Sequence, residues 1–210
     1  MDYSNSEDLA KLCEAVSNKA LGSVDRLNIL DDLFRFGDNL YKDYPSYNFT
    51  LFSLIAAGKA KTVDGLRLLR SYKAEDSYIV WNNIAQQLAK ISVIVADKEF
   101  FDTWTQFKLE LFSEIKTKVT WDPQEGEGHL DTLLRSLVLS QLGQSGDSEV
   151  RAEAKRRFDA HVSGVTQINP DIRAAVYKTV ASMGHEEDFN TMVRLHNEAE
   201  LHEEKCRIQR

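Results

Sequence analysis

The sequence predicts an all-α protein, a superhelical array of antiparallel helix pairs of the HEAT/armadillo-like α-solenoid kind. Three observations predict it. Apolar residues recur at helical spacing through most of the 210 residues, and no segment holds a period-2 alternation. Three prolines and ten glycines are too few to punctuate many short strands.

The elements follow in chain order. Between Asp76 and Val95 the stripe Trp81, Ile84, Ala85, Leu88, Ile91 and Val95 keeps one helical face apolar. From Glu99 to Val119 the stripe is Phe100, Trp104, Phe107, Leu111 and Ile115, widened by Phe101, Phe112 and Val119. Leu130, Leu133, Leu134, Leu137 and Val138 mark a third helix, and Ile172, Ala175, Val176, Val180 and Met183 a fourth.

Boundaries are legible too. Asn169-Pro170-Asp171 combines an N-cap side chain, a proline at the first helical position and an acid in the first turn. Gly143–Gly146 and Trp121–Gly128 read as turn-rich breaks, Ser148 as the cap of the next helix, and Gly184 as a helix stop. The count comes to about nine or ten helices joined by short connections, which favours stacked hairpins within one helical-repeat domain, residues 1–210. No strict sequence period accompanies it.

Residues 35–52 break the pattern. Residues 34–52 hold seven of twenty aromatics (three Trp, seven Tyr, ten Phe), around Tyr44-Pro45, with no helical stripe. An aromatic-rich loop folded onto the helices is expected there, since such side chains bury a large area when they pack.

Charge and cysteines narrow the function. The net charge of −7 argues against nucleic acid or an anionic membrane surface as partner. The basic cluster Lys155-Arg156-Arg157 sits among acids and reads as a solvated helix face. Cys13 and Cys206 lie far apart with no paired spacing, which suits a reducing, cytoplasmic setting. Met1–Ala10 is polar, and no run of about 20 apolar residues would span a bilayer. Asn48-Phe49-Thr50 fits the glycosylation triplet, a pattern common by chance.

The usual catalytic constellations are missing. A hydrolytic zinc site needs two His one helical turn apart with a Glu between. In His185-Glu186-Glu187-Asp188-Phe189, Phe189 stands where the second His belongs. His196 and His202 are six residues apart, about 120° around a helix, and do not face each other. No Gly-x-Ser-x-Gly elbow exists, and Gly126-Glu127-Gly128 lacks the Lys-Ser/Thr of a phosphate loop. The acidic pairs Asp31-Asp32, Glu186-Glu187 and Glu203-Glu204 read as solvated faces.

One ordered set of strings resembles the C-terminal domain of the puromycin-sensitive aminopeptidases, a branch of the gluzincin metallo-aminopeptidases. The most specific stretch is Trp121-Asp122-Pro123 through Gly126-Glu127-Gly128-His129-Leu130-Asp131 and Leu133-Leu134-Arg135-Ser136-Leu137-Val138-Leu139. Before it stand Tyr3-Ser4, Val24-Asp25-Arg26-Leu27, Asp31-Asp32-Leu33-Phe34 and Tyr78-Ile79-Val80-Trp81. After it come Ala154-Lys155-Arg156-Arg157-Phe158, Asp171-Ile172-Arg173-Ala174-Ala175-Val176-Tyr177 and Glu203-Glu204-Lys205-Cys206-Arg207-Ile208. Against that pattern, residues 35–52 resemble an insertion that separates Leu33-Phe34 from Ser53–Gly58, and the family domain continues for several helices more.

The resemblance implies a division of labour. In the family a separate domain carries the zinc-binding His-Glu-x-x-His helix and the Gly-Ala-Met-Glu-Asn substrate loop, and this sequence has neither. The chain would then hold no cofactor and no catalytic residue, the zinc belonging to the parent enzyme. It would partner the parent's catalytic domain and peptide substrates, enclosing a chamber that governs access. Arg135 is the candidate chamber residue, because a guanidinium can pair bidentately with a peptide carboxylate. A structural ion pair between neighbouring helices is the alternative for Arg135, and core packing the expected role of Trp81 and Trp104. A free-standing α-solenoid scaffold is the competing function for the whole chain.

Overall fold

The computed structural model describes residues 6–35 and 62–209. Tyr3-Ser4, the Asn48 triplet, Ser53–Gly58 and all but the first residue of the 35–52 segment lie outside the described residues. Among those described there are ten α-helices, one 3₁₀ turn and no strand. They form two compact units, Met1–Ala96 and Asp97–Arg210.

In the first unit α1 (Ser6–Ser17) packs on α3 (Thr62–Arg70) and on the 3₁₀ turn Ser71–Ala74 that continues it. α2 (Ser23–Arg35) packs on α4 (Tyr78–Val95). Leu9, Leu12 and Val16, spaced three and four apart, are the buried face of α1. Leu30, Leu68, Leu69, Tyr72, Trp81, Ile84 and Leu88 complete the core. Burying each large apolar side chain contributes about 1.5–3 kcal/mol. Trp81 is wholly buried, and its indole N–H is satisfied by the Glu75 carbonyl at 3.1 Å.

That carbonyl belongs to a buried polar hub. Arg26 donates from Nε to Glu75 Oε2 (2.6 Å) and from Nη2 to Oε1 (2.8 Å), while its Nη1 donates to the Leu21 carbonyl at 2.6 Å. Glu75 Oε1 also accepts the backbone N–H groups of Asp76 and Ser77, each at 2.9 Å, just ahead of α4. Tyr72 donates its hydroxyl proton to the Arg26 carbonyl at 2.8 Å. Burial opposes the Glu75 charge, but the Arg26 and backbone hydrogen bonds outweigh it and hold its pKa below the usual carboxylate value.

The second unit contains α5 (Phe101–Lys116), α6 (His129–Gln144), α7 (Ser148–Val162), α8 (Pro170–Ser182), α9 (Glu186–Glu198) and α10 (His202–Gln209). α8 is its centre: it packs on α6, α7, α9 and α10, and Ile172, Ala175, Val176, Tyr177 and Val180 are buried. α6 packs on α8, two helices further along, as well as on α7.

The expected start and stop of α8 are present. Asn169 Oδ1 accepts the Asp171 N–H at 3.0 Å, Pro170 is the first helical residue, and Gly184 follows at φ +75°. The start of α7 corrects the sequence reading. Asp147, not Ser148, is the cap: its Oδ1 accepts the Val150 N–H at 3.0 Å, and Lys116 Nζ bonds the same carboxylate at 2.8 Å. Gly143 is likewise inside α6, not in the break, which narrows to Ser145–Asp147. Gly143 lets α6 approach α8, since a Cβ there would stand 2.8 Å from Thr179 Cβ. Phe100 and Leu130, expected in apolar stripes, are more than half exposed, because each sits at the very start of its helix, off the packed face.

Candidate functional site

The best-marked string of the sequence covers the link between α5 and α6 and the first part of α6. α5 stops at Lys116, and α6 begins at His129 after Asp131 Oδ2 accepts the Gly128 N–H at 2.8 Å. Between them residues 117–128 form an irregular segment held by guanidinium groups from two helices.

Arg135, on α6, is 2% exposed. Its Nε donates to the Thr120 carbonyl at 2.8 Å, and its Nη2 is paired with the Glu127 carboxylate. Both anchors lie in the same segment, so the residue ties that segment to α6. The hydrogen bond from Arg135 holds Glu127 below the usual carboxylate range.

Arg157, on α7, closes the other side. It donates from Nη1 and Nη2 to the two Asp122 oxygens at 2.9 and 2.8 Å and from Nε to Glu153 at 2.7 Å. Its guanidinium stands 5.2 Å from the centre of the Trp121 ring, a cation–π distance. Arg156 takes Glu153 bidentately, at 2.7 and 2.6 Å. The Arg157 hydrogen bond depresses the Asp122 pKa, and the Arg156 bond that of Glu153.

The cluster Lys155-Arg156-Arg157 is therefore only partly the solvated face that composition suggests. Arg156 is 65% exposed in its side chain, but Arg157 is 18% exposed and carries a tertiary contact. Lys155 bridges Asp159 on its own helix and Asp188 on α9, the latter at 3.0 Å.

A pocket of about 240 Å³ opens here, lined by Asp122, Arg156, Arg157, Thr166, Gln167 and Ile168, with Ala160 beside them. Its guanidinium groups already carry carboxylates, so the charge at its mouth is balanced. It offers amide, hydroxyl and short apolar contacts beside two guanidinium groups whose charge is already paired.

The remaining candidates are not brought together. His185 is the residue before α9, with Phe189 64% exposed one turn on. His196 Nε2 lies 2.9 Å from Gln209 Nε2, while His202 Nε2 faces Cys206 Sγ at 3.4 Å. Among the described residues no group of three or more His, Cys, Asp or Glu could hold a metal ion. Cys13 and Cys206 are free thiols. Trp81 and Trp104 are buried at 0% and 6% exposure, in the stripes that foretold them. No helix among the described residues is long and apolar enough to cross a membrane.

Sequence reasoning missed Asp122 and Glu127 as partners of Arg157 and Arg135. The signal was present as Trp-Asp-Pro and Gly-Glu-Gly turns rich in acid, but nothing local names the arginine each acid will meet.

The model of the ERAP1-like C-terminal domain matches residues 49–210. The chain is 32% identical over 206 residues to Aminopeptidase M1 of Arabidopsis thaliana, covering 95% of this chain and 21% of that protein. Aminopeptidase 2 of Candida albicans is 31% identical over 159 residues, 73% of this chain and 17% of its own length. Puromycin-sensitive aminopeptidase of Caenorhabditis elegans is 22% identical over 197 residues, 93% of this chain and 19% of its own. The chain thus spans about a fifth of the length of the curated relatives it matches.

Proposed function

We propose a function from one premise: the chain belongs to the ERAP1-like C-terminal domain family. On that footing it is the non-catalytic helical domain of a cytosolic zinc aminopeptidase. It closes over the catalytic domain of its parent, encloses the peptide chamber and selects which peptides enter. The parent enzyme removes N-terminal residues from those peptides.

One observation carries this reading. The similarity runs along 95% of this chain yet covers only 21% of a relative that is named an aminopeptidase, and these 210 residues contain no His-Glu-x-x-His. The described residues do not fit a zinc ion, so no step through the metal is assigned to this chain. Its contribution is positional: excluding water, limiting access and fixing a wall.

The packing of α6 on α8 is what a stack of repeated helix pairs produces, and it supports an α-solenoid arrangement within the second unit. Arg135 takes its part at the chamber by fixing the 117–128 segment. A peptide carboxylate seeking the nitrogen that Glu127 holds would have to displace that carboxylate.

The test uses the purified 210-residue chain with a fluorogenic aminoacyl substrate, metal analysis and circular dichroism. The expected result is a strongly helical protein with no turnover and no stoichiometric zinc. Zinc-dependent turnover by this chain alone would overturn the proposal.

A further inference from the structure

No residue of α10 is fully buried, and its apolar contribution comes from the half-buried Cys206 and Ile208. Leu201, just before it, is 72% exposed. Apolar burial supplies most of the stability of ordinary packed helices, and here so little of it leaves a large share of the hold to polar contacts.

The polar hold is centred on Glu204. Its carboxylate, 15% exposed, accepts the Tyr177 hydroxyl at 2.9 Å and Arg173 Nη1 at 2.9 Å, both from α8. Arg207, on α10 itself, donates to it at 3.0 Å. Arg173 is braced in turn by the Ile168 carbonyl at 3.0 Å. Burial opposes the Glu204 charge, and the three donors more than offset it, so its pKa stays below the usual range.

His161, on α7, stands behind this clasp. Its Nε2 is 3.3 Å from the Tyr177 oxygen. Since Tyr177 gives its proton to Glu204, its oxygen accepts from His161, which places the ring proton on Nε2. Nδ1 is buried and has no hydrogen-bond partner, as is true of Arg173 Nε. A second proton on the ring would put a buried cation beside Arg173, with only the Gln167 side chain to help receive it.

We infer that α10 is a polar latch, which undocks as a unit while α6 and α8 stay folded, with Glu204 as its catch and His161 as its acid release. The charged and titratable groups around His161 are Arg173 and Tyr177 from α8 and Glu204 and Arg207 from α10, with the Gln167 amide from the preceding connection. On α7 itself Arg157 lies one turn back, engaged with Asp122 and Glu153. Burial and then Arg173 oppose a proton on the ring and prevail over the attraction of Glu204 and the Gln167 hydrogen bond, so the docked His161 is held below its ordinary pKa of 6.5. The open state takes up that proton first. Docking is therefore complete above about pH 6.5 and weakens as the pH falls below it.

Amide hydrogen exchange read by mass spectrometry on the 210-residue chain tests this, with rates corrected for intrinsic pH dependence. At neutral pH the amides of 202–209 should exchange well ahead of those in α6 and α8. Glu204→Gln should speed α10 exchange about tenfold, the loss expected for hydrogen bonds to a charged group, and leave α6 unchanged. Lowering the pH from about 7.5 to 5.5 should open α10 in the parent chain and not in His161→Asn. If α10 exchanges in step with α8, or Glu204→Gln accelerates the whole unit alike, α10 is core and the latch is wrong. A pH response that survives His161→Asn would overturn the release mechanism.

Discussion

Arg26 grips the Glu75 carboxylate with two hydrogen bonds, although 49 residues separate them in sequence. Both side chains are nearly inaccessible to water, and Glu75 also caps the approach to α4 through Asp76 and Ser77. Removing one partner strands the other charge in the interior, which costs about 3–5 kcal/mol. Glu75→Gln should therefore lower the first unit's urea midpoint sharply, read by the fluorescence of Trp81. The pH dependence has a definite sign. Because the folded Glu75 pKa is depressed, its contribution is complete above the unfolded value, about 4.5, and disappears as the pH falls through the lower, folded value. The acid limb of the stability curve should flatten in Glu75→Gln, and an unchanged limb would show that other carboxylates govern it.

Asp147 has two duties, capping α7 and receiving Lys116 from the end of α5. Asp147→Ala should cost about 1–2 kcal/mol, the range for loss of an N-cap. Asp147→Ser keeps a capping oxygen and loses the ion pair, which is partly exposed and worth less than about 1 kcal/mol. Thermal unfolding of the three proteins should rank the parent first, Ser second and Ala last.

Arg135 uses two different nitrogens on two anchors of one segment. A lysine has one ammonium and cannot reproduce that fork. Arg135→Lys and Arg135→Ala should both expose residues 117–128 to limited proteolysis, with cleavage after Lys118 or Glu125 rising about tenfold, while helical circular dichroism stays close to that of the parent. Equal resistance in the lysine variant would mean that the charge alone suffices.

Gly143 leaves no room for a methyl group against Thr179. Gly143→Ala should destabilise the second unit by about 1–3 kcal/mol, as overpacking does, despite the better helix propensity of alanine. Thr179→Ala in the same chain should recover part of the loss, and a double-mutant cycle in denaturant would measure the coupling. Strict additivity would place the strain elsewhere.

The sequence made the helices readable because an apolar stripe is a local signal, repeated every three or four residues. Trp81, Leu88, Leu111, Val138 and Val176 are buried as their spacing required. Asn169-Pro170 and Gly184 were equally local, and they stand where a helix begins and ends. Polar residues carried less. Glu203 and Glu204 looked alike in the chain, yet one is 85% exposed and the other 15% and bonded to three donors. Arg157 looked like one of three solvated cations and instead reaches Asp122, 35 residues back. A charge announces that it needs a partner or water, but the choice is made by tertiary packing. Ser148 lost the capping role to Asp147 for a narrower reason: both are good caps, and only the backbone decides which oxygen meets the Val150 N–H.

The contact between Gly143 and Thr179 also bears on how this protein can drift in sequence. Two positions 36 residues apart share one small volume, so neither is free to vary alone. A combinatorial library randomised at both should return folded clones in which the summed side-chain size stays small, with bulk at one position excluded by any bulk at the other. Position 143 would then register as a pair statistic more than as a preference for one amino acid, and its partner on α8 would be the place to look when a substitution in α6 proves unexpectedly tolerated.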